Sequence, residues 1–510
     1  MSNRIEKDSM GQMEVPADVL YGASTQRAVL NFPVSGRPVP EGVIKAYARL
    51  KAAAAHVNAE LGQLDRARAE AIAAACGQVL EGLSTRGGLA RHFPVDIFQT
   101  GSGTSTNMNV NEVVANLVCL ARGKPIGSSK DAAYLKEGGV HPNDHVNMGQ
   151  SSNDTFPTAM HVAAALAIRD DLLPAVRKIA SDLEGKAQAW DHIVKIGRTH
   201  LQDATPIRLG QEFSGYASQM RHAENRLHRA LETLGELAIG GTAVGTGINT
   251  HKDFGRKVAD LLAKETGLPF REAENHFEAQ HAKDAFVEVS GLLKTIAVSL
   301  SKIANDIRWM GSGPRCGIGE LRLPAVQPGS SIMPGKVNPV ICESVLMVCC
   351  QVVGNDATIA AANFGGVGSI LDLCVALPVM AAAMLESIHL LARACHVFTD
   401  NLLSGPIPAS SPSPSGAGVP PVSTPPSHGL QPDEARCQGL IEGSLAMCTS
   451  LVPVIGYDKS AALAYQAFKE GKTIRQLALE QNLLPASELQ KLLDPMSMTE
   501  AGDTAGPGGG

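Results

Sequence analysis

HAKDAFVEVSGLLKTIAVSLSKIANDIRWM, residues 281–310, places Val289, Leu292, Leu293, Ile296, Leu300, Ile303 and Ile307 at steps of three or four. One apolar stripe on a 3.6-residue repeat predicts a single long helix. Residues 158–190, 211–237, 339–363 and 379–403 carry the same pattern, and 42–83 reads as two helices broken near Gly62. Helices of about 25 to 30 residues extend roughly 37 to 45 Å at 1.5 Å per residue, so they pack side by side as an elongated bundle. The fold class is therefore mostly α, with a long central helical bundle. The apolar faces exceed what one bundle needs, which predicts oligomerisation through helices of further copies.

Composition agrees with this reading. Hydrophobic residues make up 44% of the 510 and charged residues 18%, values of a globular chain long enough for roughly two to four domains. Aromatics are only 4%, which disfavours strand-built sandwiches. A net charge of −6 argues against a nucleic-acid partner, because phosphate neutralisation calls for a basic excess. No run of 18 uninterrupted apolar residues occurs, so the chain is expected to be soluble, with no membrane partner. The first residues lack the apolar core of a signal peptide, so a cytoplasmic location is expected, a mature organellar form remaining open. Ten scattered cysteines without a Cys-x-x-Cys predict neither a zinc site nor a disulfide framework. Their expected state is small, buried and reduced.

Five segments follow along the chain. Residues 1–140 read as a mainly helical N-terminal domain and 141–403 as the central long-helix domain. Residues 404–435 hold 9 Pro and 7 Ser among 32 residues and predict a disordered or polyproline-like linker or insertion. Residues 436–495 form a small helical domain, and 496–510 a flexible tail.

Chemistry concentrates in polar stretches between the apolar patterns. GSSIMPGKVNP, residues 329–339, brings two hydroxyls, a lysine and an amide together ahead of a helix beginning near Pro339. Such a loop, with the free N–H groups of the helix start, suits an anion whose charge grows during reaction. GRTHLQDATP, residues 197–206, offers His200 as a proton-transfer group beside Thr199. Glu343, seven residues after Lys336, falls in the first turns of that helix, where it can orient a histidine. TGSGTSTN (100–107) and QSSND (150–154) are hydroxyl and amide clusters able to bind carboxylate oxygens or to cap helices, the two readings weighing about equally for Asn153 and Asp154. Gly101 and Gly103 make no dinucleotide fingerprint, since no apolar strand precedes them. GGTAVGTG, residues 240–247, lacks the lysine of a phosphate loop. His141 and His145 sit at metal-like spacing, but Pro142 between them speaks against one regular helix, and no metal site is predicted.

Taken together, GSSIMPGKVNP, GRTHLQDATP, TGSGTSTNMNVNE, HPNDHVN and QSSNDTFPTAMH resemble class II fumarases of the fumarase/aspartase superfamily, over residues 4–403 and 432–495. His200 is the discriminating residue, because aspartases sharing the GRT-x-LQDA frame carry glutamine there. The resemblance implies a fumarase/aspartase-like fold and a homotetramer whose core is built from the bundles of several subunits, with each active site drawing on three of them. It implies reversible hydration of fumarate to (S)-malate, a reaction of the tricarboxylic acid cycle type, with no cofactor. Ser330 would remove the C3 proton, giving an aci-carboxylate, while His200, oriented by Glu343, would manage the proton on the departing hydroxyl. The implied dicarboxylate site comprises Ser102, Gly103, Thr104, Ser151, Ser152, Asn153, Thr199, Ser331, Lys336, Val337 and Asn338. His141, Pro142, Asn143 and Asp144 match a second anion site.

Two departures stand out. Between Gly365 and Pro378 the family has a glutamate-leucine-asparagine run and an arginine before the proline; this chain carries Asp372, Cys374 and Leu377 there. The Pro/Ser-rich insertion is the other. Rival readings are a related lyase acting on aspartate, opposed by His200, and an inactive structural or binding homologue, opposed by the complete set of acid/base residues. An iron–sulfur hydratase is opposed by the scattered cysteines.

Overall fold

A computed structural model describes residues 2–85, 87–404 and 429–501. Long helices dominate, including Glu41–Glu60, Leu209–Thr233, Asp284–Met310, Val340–Ala362 and Leu377–Phe398. Each begins and ends within a few residues of its apolar pattern. The pair expected over 42–83 is Glu41–Glu60 and Arg66–Gly82, with Gly62 at φ 72° between them. The pattern at 158–190 is longer than one regular helix. It starts at Ser152, passes through a π-helical turn at Ile168–Leu172 and continues as Leu173–Ala189.

Contacts divide the described chain into two units, each gathered from three stretches. One comprises residues up to 174 with 224–297 and 348–392; the other comprises 175–223, 298–347 and 393 onward. In the first, Glu41–Glu60 is the hub. Val43, Ile44, Tyr47, Leu50, Ala54 and Val57 recur on its buried face, and it packs against Arg66–Gly82, Ser152–Ala167 and Phe254–Thr266. An N-terminal hairpin, Asn3–Asp8 with Gly11–Pro16, lies outside the helical expectation for this region. In the second unit, Ile441, Leu451, Leu463, Ile474, Leu477 and Leu489 form the core of the C-terminal helices.

The sheet content is a set of two-stranded ribbons. The most consequential pairs Val194–Thr199 with Gln202–Arg208. Of the span read as a linker, residues 405–428 lie outside the described residues, as does the tail beyond 501. At the far end of that span Gln431–Pro432 pair with Leu321–Arg322, and Asp433 caps the Glu434–Gly443 helix through the Arg436 N–H. These few residues have backbone and side-chain partners, which composition alone does not reveal.

Val340–Ala362 and Leu377–Leu403 are long and apolar enough to cross a membrane by length and composition, a property that a search for uninterrupted apolar runs passes over. The second is 67% buried over its apolar window within the protein, the first only 33%. Met347 and Val353 stand among the exposed apolar side chains of the first.

Candidate functional site

The loop after Gly329 closes on itself. The Gly329 N–H donates to the Lys336 carbonyl at 2.8 Å, and Asn338 Nδ2 donates to the Gly329 carbonyl at 2.6 Å. A side chain at position 329 would bring its Cβ within 2.5 Å of that same Lys336 oxygen, so only glycine permits the closure. Inside the ring, Ser330 Oγ accepts the N–H groups of Ile332 at 3.2 Å and Met333 at 3.0 Å. Two backbone dipoles thus point at one hydroxyl oxygen, an arrangement that favours negative charge there. Ser331, Lys336 and Val337 are exposed, and Ser330 is half-buried. Asn338 spends one amide N–H on closing the loop and keeps the other. The Val340–Ala362 helix starts immediately beyond, and Glu343 lies exposed in its first turns.

His200 does not lie in a loop between helices, as its polar neighbours suggest. It occupies the tip of the 194–208 hairpin. Thr199 pairs with Gln202, leaving His200 at φ 58° and Leu201 at φ 62° as the two turn residues. Both are left-handed, the geometry of the type I′ turn that matches strand twist. Asn and Gly normally fill such positions, and a left-handed non-glycine residue costs about 1 to 2 kcal/mol. The turn is therefore held by its surroundings. Thr199 and His200 are exposed, and no hydrogen bond or ion pair joins His200 to Ser330 or Glu343 within the described residues of one chain.

Below the tip, Arg198 meets Glu320 at 2.9 and 3.0 Å, and Lys195 reaches Glu320 at 3.5 Å and Glu212 at 2.9 Å. Glu320 is fully buried and Lys195 nearly so. Sequence reasoning overlooked this buried set. Its available signal was charged residues adjoining glycines or apolar side chains rather than a solvated face.

In the other unit the structure brings together two of the polar clusters. Ser102 and Thr104 hydroxyls lie 2.9 Å apart, and Thr104 meets Ser152 Oγ at 2.7 Å across 48 residues of sequence. The Thr104–Ala121 helix begins inside the 100–107 polar cluster, and Asn107, Asn109, Asn111 and Glu112 are buried with partners rather than solvated. Gly103, at φ 73°, starts that helix where a Cβ would strike the Phe156 ring at 1.9 Å. Ser151 caps the helix that follows it. Its hydroxyl accepts the Asn153 N–H, while the Ser151 N–H donates to Asp154 at 2.9 Å, completing a capping box. Asn153 Nδ2 donates to the Ala243 carbonyl, and buried Asp154 also accepts from Gly240 and Thr242, so the 240–247 glycine run is a partner of this cap.

A buried lysine underlies this cluster. Lys51 Nζ donates to Asn147 Oδ1 and Gln150 Oε1, both at 2.9 Å, in the residues just before Ser151. Burial pulls its ammonium down to about 7, with Asp154 opposing, and the same burial pushes Asp154 up to about 6. Tyr47, Lys51 and Asn58 share the buried face of their helix, and a lysine on an apolar stripe was the signal available.

His141 and Asn143 line a cavity of about 540 Å³ with Lys7, Lys130, Ser9 and Gln12; Pro142 and Asp144 lie outside its lining. Pro142 opens a π-helical turn, Pro142–Val146. His141 Nδ1 accepts the N–H groups of Asn143 and Asp144 and lies 3.2 Å from the Asp144 carboxylate. Burial holds its imidazole below the ordinary range, Asp144 pulling the other way.

The altered segment touches the candidate site. A Cβ on Gly101 would sit 1.6 Å from the Val375 carbonyl oxygen, and the Leu377 N–H donates to the Gly101 carbonyl at 2.9 Å. Residues 375–377 thus back the loop carrying Ser102. Among the described residues no group of three His, Cys, Asp or Glu side chains is arranged to hold a metal, and all ten cysteines are free thiols.

Residues 11–354 match the lyase family, and 447–500 match the fumarase C C-terminus. Fumarate hydratase class II of Corynebacterium glutamicum is 49% identical over 501 residues, covering 97% of this chain and 96% of that protein. Mitochondrial fumarate hydratase 1 of Arabidopsis thaliana is 47% identical, covering 98% and 94%. The crystal structure of class II fumarase from Schistosoma mansoni superposes with a TM-score of 0.86 at 37% identity, covering 98% of this chain and 99% of the other.

Proposed function

The chain belongs to the class II fumarate hydratase family, and from that premise we propose that it interconverts (S)-malate and fumarate as a hydro-lyase. The observation that carries the reading is the Ser330 loop. Abstraction of a proton from carbon needs a basic oxygen, and a serine hydroxyl is ordinarily a poor one. The Ile332 and Met333 N–H groups aimed at Ser330 Oγ, with Lys336 on the same loop, supply positive potential that favours its deprotonated form.

In this reading Ser330 Oγ takes the C3 proton of malate, and the electron pair moves into the adjacent carboxylate as an aci-carboxylate. Lys336 and the remaining Asn338 N–H hold that carboxylate, with Ser331 and the Val337 backbone beside it. The added charge is stabilised more than the ground state is, which is the condition for acceleration. His200 gives a proton to the C2 hydroxyl, which leaves as water, and the pair on the aci-carboxylate forms the double bond. Thr199 and the hydroxyls of Ser102, Thr104, Ser151 and Ser152, with Asn153, bind the diacid, and Gly103 lets their loop turn. His141, Asn143 and Asp144, with Pro142 setting their turn, form a separate anion site.

His200 and Glu343 lack a contact within one chain, so their pairing belongs between copies. The apolar side chains left exposed on Val340–Ala362 support that assembly: Met347 and Val353 need a cover, and helices of further copies in a homotetramer provide it. The near-complete match to fumarate hydratases favours malate over aspartate as the compound interconverted with fumarate, and the intact Ser330 and His200 segments favour an enzyme over an inactive homologue.

The test follows ultraviolet absorbance of fumarate formed from malate, with a metal chelator present, alongside ammonia release from aspartate. Fumarate from malate is expected. Ammonia without malate dehydration would move the assignment to an aspartate lyase, and no turnover of either would favour the inactive homologue.

A further inference from the structure

Residues three apart on a regular strand point to opposite faces. Lys195 and Arg198 are three apart on one strand, yet both side chains meet the same buried carboxylate, Glu320. The reason is a break in register between Ile196 and Arg198. An irregularity of this kind re-aims the side chains that follow it and adds local twist. Gly197, between the two, makes it possible, because a Cβ there would stand 2.6 Å from the Thr205 carbonyl across the hairpin. Glu320 is itself fixed through its backbone: its carbonyl accepts the Asp433 N–H at 2.8 Å, next to the Leu321–Arg322 ribbon with Gln431–Pro432.

The clamp grips the hairpin immediately before its two left-handed tip residues. Arg198 adjoins Thr199, whose pairing with Gln202 closes the turn at His200 and Leu201. Neither tip residue has the conformational freedom of glycine, and both side chains are exposed, so packing at the tip does not enforce the turn. Strained backbone of this sort persists where the surroundings over-determine it.

We propose that Glu320 is a positioning residue for His200: through Arg198 and Lys195 it locks the irregular strand and so fixes where the imidazole meets substrate. The proposal rests on His200 being the acid/base group of the hydratase reading. Glu320 touches neither substrate nor reacting atoms.

The experiment is a double-mutant cycle on the full-length assembled protein, with malate dehydration measured for wild type, Glu320→Gln, His200→Asn and the double variant. Misplacing a catalytic group by about 1 Å can cost on the order of 10²-fold. Glu320→Gln is therefore expected to lower kcat by about that factor, with KM within about twofold, and to add almost nothing once His200 is already Asn. Arg198→Lys, which keeps the charge but loses the guanidinium fork, should repeat the pattern more mildly, and it serves if the Glu320 variant fails to assemble. Wild-type kcat in both clamp variants, a loss confined to KM, or losses that multiply in the His200→Asn background would each overturn the proposal. Full activity of His200→Asn itself would instead overturn the acid/base reading beneath it.

Discussion

Replacing Lys51 by Met tests whether the hydroxyl cluster is held from below. The side chain stays unbranched and apolar, one atom shorter, but loses two hydrogen bonds, to Asn147 Oδ1 and Gln150 Oε1. The two losses are unequal. Asn147 Oδ1 still accepts from Asn107 and Asn111, whereas Gln150 Oε1 loses the donor that holds it. A buried acceptor left unmade costs about 1 to 3 kcal/mol, and the methionine no longer has to bury an ammonium, so a net loss of about 2 kcal/mol is expected at neutral pH. The pH dependence carries a sign. Lys51 has its folded value lowered to about 7 from 10.5. Between those values the unfolded chain binds the proton and the folded chain does not, so this group makes stability rise with pH by up to about 1.4 kcal/mol per unit. The neutral amine still donates to both oxygens. Urea unfolding at pH 7 and pH 9 should therefore show wild type exceeding Lys51→Met by more at the higher pH. Because Gln150 precedes Ser151, KM for malate should also rise, about tenfold if one hydrogen bond's worth of about 1.4 kcal/mol is lost from binding. Equal unfolding midpoints at pH 7 together with parallel pH slopes would refute the reasoning.

Other expectations are as direct. Ser330→Ala should lower malate turnover by on the order of 10² to 10³-fold, measured by fumarate absorbance, with the molecular mass in light scattering unchanged. Gly103→Ala forces a left-handed alanine against the Phe156 ring and should cost at least about 2 kcal/mol in urea unfolding; a neutral effect would remove the need for glycine there. Met347→Glu with Val353→Glu puts carboxylates on the exposed apolar side of Val340–Ala362. Light scattering should then find smaller species than for the wild type, and an unchanged mass would mean that this surface is not the one covered.

The helices were legible because burial imposes a period. The stripe at 281–310 marks Asp284–Met310 to within a few residues, since Val289, Leu293, Ile296, Leu300, Ile303 and Ile307 all face the interior. Where buried residues are polar, the same logic fails. Asn107, Asn109 and Asn111 are as hidden as valines, so a stretch poor in apolar side chains is a helix from Thr104 onward. The 194–208 hairpin was missed for a different reason: His200 and Leu201 adopt positive φ without any Gly, Asn or Asp to announce a turn. In the candidate site, the clusters holding Thr104 and Ser152 were read separately, and their meeting at 2.7 Å is seen only in the fold. Lys51 and Glu320 were not found, because a buried charge in one dimension looks like a surface charge until its partner, distant in sequence, is known.

Those two residues share a design with the Ser330 loop. In each segment the geometry of the groups proposed to meet substrate is set by a bond made beneath or behind them: Lys51 to Gln150, Glu320 to Arg198, Asn338 to Gly329. Ligand-facing polar groups are strongest when they need no reorganisation as charge develops, so rigidity has to come from bonds the substrate does not touch. A complete set of motif residues is then insufficient for activity, since the supports can vary independently. Asp372, Cys374 and Leu377 occupy such a support. The Val375 carbonyl lies against Gly101 and the Leu377 N–H holds the Gly101 carbonyl. Both contacts are made by backbone, so the changed side chains leave the bonds to the Ser102 loop in place, and the departure from the family pattern is compatible with a working diacid site.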